Sequence, residues 1–134
     1  MKSLLKAHHI PVYDLRLWVG VADFGKGAKQ RSELDWAFGR ADDYRQCSGQ
    51  VFYECSKFFV QFSPEELSHS LIAHEMFHVA NRMLDFVQMP LTMRTHESHA
   101  YLIGYLTQLV YEDLARWDVP IRLSCPKSPL KQPK

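Results

Sequence analysis

The feature that most constrains this chain is the pentad HEMFH at residues 74–78. Its H-E-x-x-H pattern is typical of the zinc-binding helix of metallopeptidases. Residues four apart on a helix lie about 40° apart around its axis and about 6 Å apart along it, so the two imidazoles can reach one metal ion. The pentad therefore predicts a helix that carries a metal site on its surface.

The residues around the pentad favour one helix over residues 63–87. Ser63 is a suitable N-cap, Pro64 stands at the first helical position, and Glu66 completes an S-x-x-E capping box. Apolar side chains recur at helical spacing and are predicted to pack against the core: Ile72, Met76, Val79, Met83 and Val87. The two histidines of the pentad fall on the opposite side of this helix.

The side chains of the pentad have separate predicted roles. His74 and His78 are the predicted metal ligands. Glu75, on the flank of their face, is the predicted general base, since its carboxylate can reach a metal-bound water without ligating the metal. Asn81 and Asp85 continue the histidine face and are predicted to hydrogen-bond the ligands, or else to make polar contacts between helices.

A third metal ligand has to come from outside the pentad, because catalytic zinc takes three protein ligands and keeps one position for water. Glu97 is favoured, since it follows His78 by 19 residues and would be presented by an antiparallel helix after a short loop. His99, His96 and Asp85 remain alternatives, as does a site with no third protein ligand.

The remainder of the chain supplies strand patterns before the metal helix and a helical pattern after it. Alternating apolar residues within 12–24 predict a strand, and Trp36 and Phe38 suggest another within 33–46. Residues 50–62 have the clearest strand pattern, either as a hairpin of 51–55 with 58–62 or as one bent strand. A second helix is predicted from Thr92 or Thr95 to about Trp117, since Pro120 follows.

These elements predict an α+β fold: a small antiparallel or mixed sheet, then the metal-binding helix and a second packed helix. Ala100, Gly104 and Thr107 share a face of the second helix, which predicts that the two helices approach closely there. A length of 134 residues suits one domain, assigned to residues 1–120. Residues 121–134 form a basic, proline-rich tail that is predicted to be disordered.

Charge and cysteine content narrow the partners and the compartment. Four positive charges and no acid lie in the tail, so the net charge of +1 leaves −3 on the first 120 residues. Nucleic acid is therefore an unfavoured partner, except through the tail. We expect no signal peptide and no membrane span. Cys47, Cys55 and Cys125 show no C-x-x-C spacing, which favours reduced thiols and a cytoplasmic location over a Cys47–Cys55 disulfide.

The run SLIAHEMFHVANRMLDFVQMPLTMRTHESHAYLIGYLTQ at residues 70–108 resembles small metallopeptidases encoded by tailed bacteriophages and prophages. An H-E-x-x-H helix followed by a glutamate on the next helix is also similar to the gluzincin group of zincins. The resemblance covers about residues 60–110. It implies a zincin-like fold, Zn²⁺ as the cofactor, His74, His78 and Glu97 as ligands, Glu75 as the general base, and the cytoplasm of a bacterial host.

Two functions from different classes fit these observations. The first is a zinc-dependent hydrolase of the peptidase type that acts on a peptide or protein substrate. Its oxyanion partner would be Tyr53, His99, Tyr101 or Tyr105. The strand at 58–62 is predicted to bind an extended peptide by edge pairing, although its aromatic side chains also suit an ordinary core.

The second function is a non-catalytic zinc module, in which the metal staples two helices of a phage structural, assembly or host-interaction protein. Structural zinc normally has four protein ligands, so Cys47, Cys55 or His99 would have to provide the fourth. Glu75 favours the hydrolase, because a structural site has no use for a base beside the metal.

Overall fold

The computed structural model describes residues 3–22, 24, 30–39 and 49–123. These residues form four strands and three helices. In chain order they are β1 (Leu4–Ile10), β2 (Leu15–Val21), α1 (Arg31–Phe38), β3 (Gly49–Glu54), β4 (Lys57–Phe62), α2 (His69–Phe86) and α3 (His96–Arg116). The predicted α+β class is confirmed.

The strands form one mixed sheet in the order β1-β2-β4-β3. β2 and β4 are parallel, whereas β1 pairs antiparallel with β2 and β3 pairs antiparallel with β4. The predicted strand of 12–24 is β2, and the predicted hairpin is β3–β4. β4 is paired on both sides, so the prediction that residues 58–62 bind a peptide by edge pairing is wrong. Within the described chain, the edge strand on this side of the sheet is β3.

Helices cover both faces of the sheet. The larger core cluster lies between the sheet and the pair α2 and α3, and it includes the inward-facing residues of β2 and β4 and the apolar stripe of α2. A smaller cluster on the other face joins Trp18 and Phe59 to Leu34 and Ala37 of α1. Successive side chains of a strand point to opposite faces, so β2 and β4, buried on both, read as nearly continuous apolar runs.

Residues 31–38 form a helix, so the strand predicted within 33–46 is wrong in this part, and residues 40–46 lie outside the described chain. Leu34 and Ala37 are both buried, and their spacing of three residues is helical. Trp36, which suggested a strand, is 69% exposed. The Trp18 Nε1–H donates to Glu33 at 2.6 Å and ties this helix to the sheet.

α2 begins later than predicted. Its N-cap is Ser68, whose Oγ accepts from the backbone N–H of Leu71 at 3.1 Å, and its first residue is His69. Ser63 to Glu66 instead form a turn, closed by a backbone hydrogen bond from Glu66 N to Ser63 O at 3.1 Å. The capping box of 63–66 is therefore wrong. The apolar stripe is confirmed, with only its last member, Val87, less than fully buried.

α3 follows the predicted range and packs against α2. The predicted close approach at its small residues does not occur, because Ala100 and Gly104 are exposed and a Cβ added at Gly104 would meet nothing within 4 Å. Ile121 packs against the larger core, and Arg122 forms a parallel bridge with Ser68. Contacts with the domain thus extend to Arg122, and the predicted boundary at residue 120 stays a prediction.

Among the described residues, no helix has both the length and the apolar character needed to cross a membrane. Cys55 is a free, exposed thiol. Several predictions from sequence lie outside the described residues: those on Cys47 and Cys125, and those on the tail from residue 124 onward.

Candidate metal centre

The two histidines of the pentad meet on the exposed side of α2. The Nε2 atoms of His74 and His78 lie 3.2 Å apart, and the ring centroids are 4.8 Å apart at an interplanar angle of 76°. Both residues are exposed, because the opposite stripe of α2 is buried in the core and turns them outward. At this distance one ring donates its Nε2 proton to the other.

This separation suits two ligands of a single zinc ion. Two nitrogens that each lie about 2.0–2.1 Å from a tetrahedral zinc are about 3.3 Å apart. The observed 3.2 Å between Nε2 atoms needs almost no rearrangement to meet that spacing. The exposure of both rings would also leave an adjoining position open to water or substrate. The histidine pair therefore fits zinc in an open site.

Glu75 turns away from the solvent and packs against strand β3. It is 6% exposed, and a Cβ added to Gly49 would lie 2.9 Å from its Oε2 atom and 3.0 Å from its Cγ atom. Burial raises the pKa of the Glu75 carboxyl, and the positive charge that His74 can carry opposes this by lowering it. Because residue 49 is glycine, the Glu75 carboxyl has room to pack against β3. This carboxyl belongs to the residue that follows His74.

Arg82 is exposed on α2 one helical turn after His78, and it contacts Tyr53 of β3. Burial lowers the pKa of His78, and the charges of His74 and Arg82 lower it further. A lower pKa keeps this imidazole neutral near pH 7, which is the form that binds a metal. The guanidinium carbon of Arg82 lies 4.4 Å from the centre of the Tyr53 ring, so a cation–π contact joins α2 to β3.

The third ligand is not assembled in the part of the chain that the structure describes. No group of three or more histidine, cysteine, aspartate or glutamate side chains there is placed to hold a metal. Glu97 and Asp85 are exposed, and His96 uses its Nδ1–H to bond the backbone oxygen of Met93 at 2.8 Å. Glu97 as third ligand therefore stays a prediction.

The remaining predicted site residues lie around the pair without contacting it. Asn81 is half-buried, and neither its side chain nor that of Asp85 hydrogen-bonds the histidines among the described residues. His99 is buried in the core and donates from Nδ1 to the Thr95 backbone oxygen at 3.1 Å, rather than lying at the surface. Its Nε2 atom has no partner in the described chain.

Tyr101 and Tyr105 belong to a different surface. They line a cavity of about 310 Å³ together with Ser98, Leu102 and the segment 10–13 that leads from β1 to β2. The pentad contributes nothing to that lining. An oxyanion role for either tyrosine finds no support in their placement, whereas Tyr53 lies on the strand that Glu75 contacts.

Sequence reasoning missed two contributors, Gly49 and Arg82. Arg82 follows His78 at i+4, and this spacing alone could have placed it on the same face. Gly49 had no comparable signal, because its contact with Glu75 depends on the packing of α2 on β3.

Comparison with known proteins provides no relative from which a function of this site could be inferred. No protein-family model, curated protein or solved structure matches this chain. The resemblance to phage-encoded metallopeptidases consequently rests on its sequence motifs, and the function has to be argued from the side chains of the site.

Proposed function

We propose that this protein is a zinc-dependent metallohydrolase of the peptidase type. The observation that carries the proposal is the convergence of the His74 and His78 Nε2 atoms to 3.2 Å, beside a buried carboxyl on the same helix. His74 and His78 would hold the metal, and Glu97 is retained as the proposed third ligand. Zinc bound there would lower the pKa of a bound water and polarise the substrate carbonyl.

Glu75 carries the proton transfers in this proposal. Its carboxylate takes a proton from the attacking water and later delivers it to the leaving amine. Burial raises the pKa of this carboxyl, which makes it a stronger base and better able to hold the proton between the two transfers. The contact with Gly49 limits how far the side chain can swing, since the backbone of β3 closes that side.

A peptide substrate is favoured by the neighbouring edge of the sheet. β3 runs alongside α2 in the same direction, because Gly49 lies at Glu75 and Tyr53 lies at Arg82. Its outer edge has no strand partner among the described residues. Unpaired backbone groups at such an edge can pair with an added strand. An extended peptide bound there would pass beside the histidine pair.

The free thiol of Cys55 agrees with a reducing compartment. Together with the resemblance to phage-encoded metallopeptidases, it leads us to propose that the protein acts in the cytoplasm of a bacterial host.

Metal content and peptide cleavage test the proposal together. We expect about one zinc per chain in the wild type, strong loss of zinc in His74→Ala and His78→Ala, and retention in Glu75→Gln. Zinc-loaded wild type should cleave peptides from an unstructured protein such as casein, and Glu75→Gln should lose at least about 100-fold in rate. A wild type that binds no zinc after reconstitution contradicts the proposal.

Cys55→Ser and Glu97→Ala distinguish the proposed hydrolase from the alternative, a non-catalytic protein in which zinc joins two helices. A closed structural site would lose zinc when its cysteine is replaced, whereas an open catalytic site would not. In the described chain neither Cys55 nor His99 joins the histidine pair in a metal-binding group. We expect Cys55→Ser to keep its zinc and Glu97→Ala to bind zinc more weakly.

A further inference from the structure

Arg82 is an exposed cation held in place beside the histidine pair. It follows His78 by one helical turn, and its guanidinium stacks 4.4 Å above the ring of Tyr53 on the edge strand. Within the described chain it forms no salt bridge, although Asp85 lies three residues further along the same helix. A guanidinium stacked on a ring keeps its N–H donors at its rim, where they remain free for another partner.

The position of Arg82 relative to the metal pair can be read from helix geometry. The midpoint between His74 and His78 lies six residues before Arg82, which corresponds to about 9 Å along the axis. A peptide extended along β3 advances about 3.3 Å per residue. A substrate residue that meets Arg82 therefore lies two to three residues from the bond that is cleaved.

We propose that Arg82, held over Tyr53, selects substrates that carry a carboxylate two to three residues from the cleaved bond. The guanidinium fork matches a carboxylate with two parallel hydrogen bonds. Stacking restricts the side chain before the substrate arrives, which reduces the entropy lost on binding. The inference rests on the proposed peptidase function and adds the chemical class of its substrate.

The carboxylate can come from two sources. An aspartate or glutamate side chain within the peptide would make the protein an endopeptidase with acidic selectivity. The free C-terminus of a short peptide would make it a peptidyl-dipeptidase or peptidyl-tripeptidase, which releases two or three residues from that end. Both offer the same chemistry to Arg82, so the experiment has to vary them separately.

Fluorescence-quenched octapeptides with amidated C-termini provide the first arm of the test. Each peptide carries one glutamate or glutamine, moved through all positions, and a further peptide has only glutamine and a free C-terminus. Zinc-loaded wild type should prefer glutamate about three- to tenfold in kcat/KM at one position, as expected for a partly exposed charge pair. A preference confined to the free C-terminus, with release of a di- or tripeptide, would instead assign the C-terminal carboxylate as the source.

Charge variants decide whether Arg82 is responsible. Arg82→Gln should abolish the preference, and Arg82→Glu should reverse it in favour of lysine at the same position. Arg94→Gln, which removes an exposed arginine from the loop before α3, is the matched control and should retain the wild-type preference. Cleavage with no carboxylate preference, or a preference that survives Arg82→Glu, would overturn the inference and leave the peptidase function intact.

A binding measurement keeps the inference testable if turnover is absent. Zinc-loaded Glu75→Gln is titrated with the same peptides, and binding is followed by fluorescence anisotropy at low and high salt. Glutamate peptides that bind more tightly through Arg82, without cleavage by wild type, would support carboxylate recognition by Arg82 while contradicting the hydrolase and the placement of a cleaved bond. Equal affinity for glutamate and glutamine peptides, or no binding of either, would reject the role of Arg82.

Discussion

At the scale of single residues, the candidate site contains a buried ionisable side chain, that of Glu75. Glu75 is 6% exposed although it belongs to a charged residue type that is seldom buried. Desolvation favours the protonated form of this carboxyl, whereas a positive charge on His74 favours the ionised form. The protein therefore keeps an ionisable group in surroundings that oppose its negative charge.

Because burial opposes ionisation of Glu75, we predict that the stability difference between metal-free wild type and Glu75→Gln changes with pH. The folded-state pKa of Glu75 is raised, so the folded state binds the proton more tightly than the unfolded state does. Its contribution to stability is complete below the unfolded-state pKa and is lost as pH rises through the folded-state pKa. Glu75→Gln should therefore gain in melting temperature relative to wild type between acidic and neutral pH.

Thermal unfolding of both proteins with chelator present, from about pH 4 to pH 7.5, measures this difference. Melting curves whose separation does not change with pH would contradict the raised pKa. Zinc-loaded samples serve as the control, because bound metal adds its own stabilisation to the folded state.

Gly49→Ala tests whether the edge strand positions Glu75. The new Cβ would lie 2.9 Å from the Glu75 Oε2 atom and 3.1 Å from the Leu71 Cδ1 atom, so the carboxyl has to shift. We expect kcat to fall about tenfold or more while zinc content stays near that of wild type, since a displacement of about 1 Å is costly in catalysis.

Gly20→Ala is the matched control for Gly49→Ala. Its Cβ would lie 2.8 Å from ring atoms of Phe24 and Phe59 in the smaller core cluster, away from the site. Both variants should lose about 1–3 kcal/mol of unfolding free energy through overpacking. Only Gly49→Ala should lower kcat of the folded protein, and an equal loss in both variants would contradict the positioning role.

At the scale of elements, α2 performs two tasks with two faces. One face buries the apolar stripe that was predicted from periodicity, and the other presents the histidines. The second helix is less constrained than its small residues suggested, because Gly104 lies on an exposed surface with open space at its Cβ position. The packing between the two helices thus depends on their buried residues and not on a small-residue contact.

Gly104→Ala should accordingly stabilise the protein. Alanine is favoured over glycine by about 0.8–1.0 kcal/mol in a helix interior, and no atom opposes the added methyl group. Chemical denaturation should show the gain, with zinc content unchanged. A loss of stability would indicate that the helices do approach closely at this position, as the sequence first suggested.

At the scale of the whole molecule, a largely buried hydrogen bond links two residues 105 positions apart in the chain. Asp113 of α3 is fully buried and accepts from His8 Nε2 at 2.6 Å, which fastens the first strand to the last helix. Arg116 donates to the other carboxylate oxygen at 3.0 Å. The sheet edge opposite β3 is therefore held against the helix pair by a polar contact within the core.

Removal of this carboxylate should destabilise the whole domain. Asp113→Ala leaves the largely buried His8 Nε2 without its acceptor, and we expect a loss of about 2 kcal/mol in unfolding free energy. Asp14→Asn is the control, because it removes a carboxylate that bonds His9 at 2.8 Å on the exposed surface, and asparagine tolerates the positive φ of this position. Denaturation that affects both variants equally would contradict a structural role for the buried pair.

The sequence by itself determined the features that depend on local spacing. Helical periodicity predicted the buried stripe of α2 and the range of α3, and alternation predicted β2 and the β3–β4 hairpin. The i, i+4 spacing brought His74 and His78 together, because four residues of helix make little more than one turn. These outcomes follow from the geometry of one element or of two adjacent ones.

Tertiary structure decided everything that depends on which elements become neighbours. Residues 31–38 had enough aromatic character to suggest a strand, yet burial of Leu34 and Ala37 on the sheet made them a helix. The pairing of β4 with β2 moved the free edge to β3, and the packing of α2 on β3 brought Gly49 to Glu75 and Tyr53 to Arg82. Such contacts join residues far apart in the chain, and no local pattern encodes them.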